Sequence, residues 1–180
     1  MSTTKPKGRA KDRLPPDFVR VRGLTLWRPW ALSILAGPKR VENRPRAWSI
    51  QGELLALHNG LRFRDEDAAA IHEQWEGYIL ALERHPELIR PGHIVGVAKV
   101  ANVLELSRAG ERLERFAPWA TGPWCYVLQE PVILPKPIPW KGQQGLFNIT
   151  GEPADEIRRA WFAGRADVDD LDLEHGDPTR

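Results

Sequence analysis

Residues 37–46 read Gly37-Pro38-Lys39-Arg40-Val41-Glu42-Asn43-Arg44-Pro45-Arg46. Gly37 and Pro38 interrupt the segment before them, and Pro45 ends the segment after them. Val41 to Arg44 suits a short extended stretch between these breaks, and alternate residues of a strand share a face, so Arg40, Glu42 and Arg44 are expected side by side. Upstream, Leu24–Trp27 suits a short strand. Pro29 then opens a helix at its first turn, with Trp30 and Ile34, and Ala31 and Leu35, at i, i+4 spacing until Gly37 stops it. Downstream, Gly52 opens a strand from Glu53 to His58 carrying Leu54, Leu55 and Leu57, and Asn59-Gly60 marks the turn after it.

Between Trp27 and Arg46, two tryptophans (Trp27, Trp30) and five cations (Arg28, Lys39, Arg40, Arg44, Arg46) surround one carboxylate, Glu42. Aromatic rings stack on unpaired bases and cations meet phosphate, so this composition suits RNA. It equally suits an edge strand with solvated charges and two core tryptophans. A second cluster, Trp140-Lys141-Gly142-Gln143-Gln144-Gly145, reads as a tight loop in which Lys141 could meet phosphate. Trp119 and Trp124 read as core or rim packing.

Further along, Asp65 is placed to cap a helix whose apolar stripe is Ile71, Trp75, Tyr78, Ile79 and Leu82, ended by Pro86. His72 and His85 read as its surface residues. Pro91-Gly92 is a turn, and Ile94 to Leu106 is a long β-branched run expected as a central strand. Ser107–Phe116 suits a short helix, and Pro123–Gln129 suits a strand that Pro131–Leu134 extends or pairs with. Leu146–Ile149 closes the sheet, and a terminal helix, Glu152–Phe162, buries Ile157 and Trp161. About six short strands and two to four helices point to an α+β domain with a mixed, barrel-like sheet.

The chain has 180 residues, 42% of them hydrophobic and 28% charged, which is a globular composition long enough for its own core. Charge is uneven: residues 1–22 carry seven basic and two acidic side chains, residues 151–180 four basic and nine acidic. Residues 1–17 are expected as a disordered basic arm, 18–163 as the domain and 164–180 as an acidic tail. A single cysteine, Cys125, rules out an internal disulfide scaffold and reads as a small buried hydrophobe between Trp124 and Tyr126. No apolar stretch approaches membrane-spanning length, and no apolar run comes after the basic N-terminus, so a cytoplasmic protein is expected. There is no phosphate-binding loop, dinucleotide fingerprint, nucleophile elbow or histidine pair with zinc spacing. No cofactor is evident; a divalent metal held by a carboxylate such as Glu42 with phosphate is left open.

Gly37, Lys39, Glu42 and Arg44 fit the pattern G-x-K-x-x-E-x-R, which resembles the signature of the ASCH domain family. Leu24–Ala31 (LTLWRPWA), Glu53–His58, Gly92–Val103 (GHIVGVAKVANV) and Gly122–Ile149 resemble, in order, the segments around that signature, so the resemblance covers roughly residues 22 to 150. It implies a PUA-like mixed β-barrel that binds RNA in a cleft beside it, with Lys39, Glu42 and Arg44 lining the cleft and Trp30 and His58 near its walls. It also brings an enzymatic alternative, because the family includes ribonucleases and amidohydrolases of N4-acetylcytidine. Lys39 and Glu42 would then share a proton and activate water or a ribose 2′-hydroxyl. Glu42 stands where the amidohydrolase branch has threonine.

The expected ligand is RNA or a (modified) nucleotide, met by Trp27, Arg28, Trp30, Lys39, Arg40, Glu42, Arg44, Arg46, His58 and Lys141. A protein-interaction adaptor using the two charged tails is a further alternative, with its partner unknown.

Overall fold

The structure, a computed structural model, describes residues 19–173, with side chains to residue 165. The expected basic arm, 1–17, lies outside the described residues, as does the end of the expected acidic tail, 174–180. The elements run β1 (Val21–Arg28), α1 (Trp30–Leu35), β2 (Val41–Arg44), β3 (Leu54–Phe63), α2 (Asp65–Gln74), α3 (Tyr78–Arg84), β4 (His93–Glu105), α4 (Leu106–Ala109), β5 (Trp124–Pro139), β6 (Leu146–Ile149) and α5 (Gly151–Leu173), with 3₁₀ turns at Pro86–Ile89 and Gly110–Phe116.

All six strands form one mixed sheet in the order β2-β5-β4-β3-β1-β6, an α+β architecture. β1 and β3 are parallel, and the other neighbours are antiparallel. Backbone pairing does not close the sheet, because β2 and β6 are its two edges. The sheet still curls: Arg44 on edge strand β2 donates from Nη2 to the carbonyl of Thr25, on β1 beside the other edge, at 3.4 Å. Side chains therefore bridge the gap that a barrel would close with a ladder.

The apolar run of β3 is continuous because both faces of the strand are covered. Leu54 and Ala56 pack with Ile157 and Trp161 of α5, while Leu55 and Leu57 pack with Leu32 and Ile34 of α1. Helix α5 docks through Ala154, Ile157 and Trp161, one stripe at i, i+3, i+7, and continues past Gly164 to Leu173. No helix among the described residues is long and apolar enough to cross a membrane.

One element differs from its sequence reading, and a second settles a choice that the sequence leaves open. The single helix expected through Ile71 and Leu82 is broken into α2 and α3, which raises the α-helix total to five. Trp75 leaves the helix in an extended conformation and lays its ring against Gly37, where an added Cβ would lie 2.7 Å from the ring. Of the two arrangements open for Pro131–Leu134, it extends the strand before it: both lie in β5, which carries a bulge. Lys99 pairs with Gln129 and Val97 with Val132, so one extra residue enters β5 there, and Glu130 takes it up at φ 49°.

Candidate functional site

β2 ends one edge of the sheet, and the turn from α1 delivers Lys39 to its start. Lys39 is only 3% exposed. Its ammonium donates to the Val41 carbonyl and to Glu42 Oε2 at 2.9 Å, and it lies over the Trp30 ring, 5.3 Å from the centroid. Glu42, also buried, accepts at its other oxygen from Arg44 Nη2 at 2.9 Å. The row Lys39–Glu42–Arg44 thus sets one buried and one half-buried cation around one buried carboxylate. Such a row is costly to desolvate, and each member depends on the next for its charge balance.

The row separates two cavities. A small one of about 240 Å³ is lined by Trp30, Lys39, Glu42, Asn43, Gln74, Pro118, Trp119 and Thr121. Asn43 holds its far wall. Its amide donates to the Trp119 carbonyl at 2.8 Å and its carbonyl oxygen accepts from the backbone N–H groups of Thr121 and Gly122. A larger cavity of about 720 Å³ lies beyond Arg44, with Thr25, Trp27, His58, Leu61, Trp140 and Lys141 among its lining residues.

His58 forms the floor of the larger cavity and is 2% exposed. Trp140 offers a carbonyl to Nε2 at 3.0 Å, so Nε2 carries the proton and donates, and the Thr25 hydroxyl then donates to Nδ1 at 3.1 Å. Burial holds the imidazole below its ordinary pKa, against the opposing pull of the Trp140 carbonyl. The loop from Trp140 to Gly145 lies directly over this ring: a Cβ on Gly142 would be 2.6 Å from His58 Cε1. His58 therefore pins the loop that carries Lys141.

The structure divides the expected site residues into four groups. Trp30, Lys39 and Glu42 line the small cavity, whereas Trp27, Arg44, His58 and Lys141 line the large one. Arg46 is exposed on a neighbouring rim with Trp48 and Gln144. Arg28 and Arg40 line neither. Arg28 donates to the carbonyls of Ile89 and Leu61. Arg40 precedes β2, and its Nη1 is held by the carbonyls of Ile34, Gly37 and Lys39, so it does not share the face of Glu42 and Arg44. Both cations fasten loops.

Asn43, Gln74, Trp119 and Thr121 come to the small cavity from three separate parts of the chain. Asn43 alone lies inside the charged run, while Trp119 reads from sequence as packing. Cys125 is fully buried, as expected, and burial pushes its thiol pKa up. Among the described residues, no group of three or more His, Cys, Asp or Glu side chains is placed to hold a metal ion.

No family model matches the chain, and no curated protein matches it. Among solved structures it is similar, over most of its length, to the ASCH protein of Zymomonas mobilis and to two single-substitution variants of that protein. Each is 14% identical with a TM-score of 0.48, covering 78% of this chain and 94%, 95% and 97% of the respective neighbour.

Proposed function

We propose that this chain binds RNA or a nucleotide in the cleft divided by Lys39, Glu42 and Arg44. The observation that carries the reading is the row itself: two cations and one carboxylate leave one positive charge, on the side of Arg44, between a cavity walled by Trp30 and Trp119 and a larger one. A basic, aromatic-edged cleft takes stacked bases on its rings and phosphate oxygens on its cations.

The same geometry favours binding over acid–base catalysis. Both Glu42 oxygens accept from cations, and Lys39 spends two of its donors on Val41 and Glu42. Glu42 therefore cannot take up a proton from a ligand without opening an ion pair, and Lys39 keeps one donor beyond these two. The enzymatic reading is tested by incubating the protein with single-stranded RNA and, separately, with N4-acetylcytidine, beside Lys39→Ala and Glu42→Gln controls. Product that forms with the parent chain and is lost in both variants would establish catalysis.

The binding reading is tested by fluorescence anisotropy with a labelled single-stranded RNA. With about three phosphate contacts, affinity falls about tenfold or more between 50 and 200 mM salt. Equal, weak binding at both concentrations would remove the phosphate contacts from the reading.

A further inference from the structure

The two cavities differ in electrostatic character. Every charge lining the small cavity belongs to the Lys39–Glu42 pair, and the remaining polar groups there are amides and a hydroxyl on Asn43, Gln74 and Thr121, between two indoles. Such a lining suits an uncharged planar group with hydrogen-bonding edges. Its volume, about 240 Å³, is below the range of about 300–1,000 Å³ that whole small-molecule ligands usually occupy. The large cavity has cations, Arg44 and Lys141, and no carboxylate in its lining. At about 720 Å³ it lies well inside that range and suits an anionic ligand.

Their connection is equally specific. Glu42 lines one cavity, Arg44 the other, and the two are joined by the 2.9 Å ion pair. They are two positions apart on one strand, a separation of about 7 Å at ~3.4 Å per residue. On its far side the large cavity runs out to Trp27, which is 48% exposed and carries the Arg64 guanidinium 4.3 Å from its ring centroid, and to Leu61, 81% exposed. An apolar and aromatic shelf with a cation on it is the surface on which a further base stacks.

We infer that the ligand is a single-stranded RNA of at least two nucleotides, with one base in the small cavity, the following phosphate at Arg44 and Lys141, and the next base on the Trp27 shelf. This rests on the binding reading and deepens it: a nucleotide alone fills only one half of the site. Lys141 is presented by a loop whose place is fixed by His58 and Gly142, so its position over the large cavity is built into the fold.

The test compares a mononucleotide with a single-stranded hexanucleotide of the same base, each titrated into the full chain by calorimetry, and repeats both titrations with the Trp27→Ala/Lys141→Ala variant. Both substituted side chains are exposed, and a thermal melt confirms that the variant is folded. The hexanucleotide is expected to bind at least about tenfold more tightly, the scale of one base–aromatic stack, and the double variant is expected to remove that advantage. Equal affinities for the two ligands, or a length advantage that survives in the double variant, would overturn the two-nucleotide inference while leaving the binding reading standing. No binding of either ligand would overturn both.

Discussion

Lys39, 3% exposed, is held in place by Glu42, and Glu42 by Lys39 and Arg44. Removing one partner of such a pair strands a buried charge. Lys39→Met is therefore expected to cost about 3–5 kcal/mol of stability, read from denaturant midpoints, and Lys39→Met combined with Glu42→Leu to recover part of that loss. A double variant that costs the sum of the two single substitutions would mean the pair is not coupled. Gly37 carries a different constraint. A Cβ there meets the Trp75 ring at 2.7 Å and the Ser33 carbonyl at 2.8 Å, so Gly37→Ala is expected to destabilise by about 1–3 kcal/mol. His58 links stability to pH. Its folded pKa is depressed by burial, so in acid the unfolded chain binds a proton that the folded chain refuses. Stability is full above the ordinary histidine pKa of about 6.5 and falls as pH drops below it, down to the depressed folded value. Unfolding midpoints between about pH 5 and 7.5 are expected to show this slope, and His58→Gln to flatten it.

The elements that read correctly from sequence are those fixed by local patterning. The run Leu54-Leu55-Ala56-Leu57 announces a strand, and Ile157 with Trp161 announces the docking stripe of α5. Trp161 is 2% exposed, so Trp161→Ala is expected to release α5 from the sheet at a cost of about 3–5 kcal/mol, visible as a lowered thermal midpoint. The elements that differ depend on contacts across the chain. The stripe through Ile71 and Tyr78 has helical spacing, but Trp75 is taken out of the helix by the space above Gly37, which no local signal reveals. Strict alternation places Arg40 beside Glu42, yet β2 starts one residue later and the carbonyls of Ile34 and Gly37 capture the guanidinium first. Trp30, Lys39 and Glu42, read together from the sequence, do line one cavity. Gln74, Trp119 and Thr121 are not legible as its lining, because the topology alone brings them to Asn43.

At the scale of the molecule, the open edge of the sheet creates the cleft. β2 and β6 leave a gap that backbone pairing does not close, and Arg44 spans it to Thr25. The same side chain is shared between the Glu42 pair and the lining of the larger cavity, so the residue that spans the gap also puts a cation in that cavity. The opposite face of the sheet is given to α5. It presents Arg20, Arg22 and Arg158 in a cavity of their own, with Asp155 among them and with Glu53 pairing Arg22. This second basic region has no tryptophan in its lining. Ultraviolet cross-linking of single-stranded RNA to the full chain, with the linked peptides mapped by mass spectrometry, distinguishes it from the cleft directly. Cross-links on Trp30 or Trp119, together with Trp27 or Trp140, are the expected result. Cross-links confined to the peptides carrying Arg20, Arg22 and Arg158 would contradict the cleft assignment.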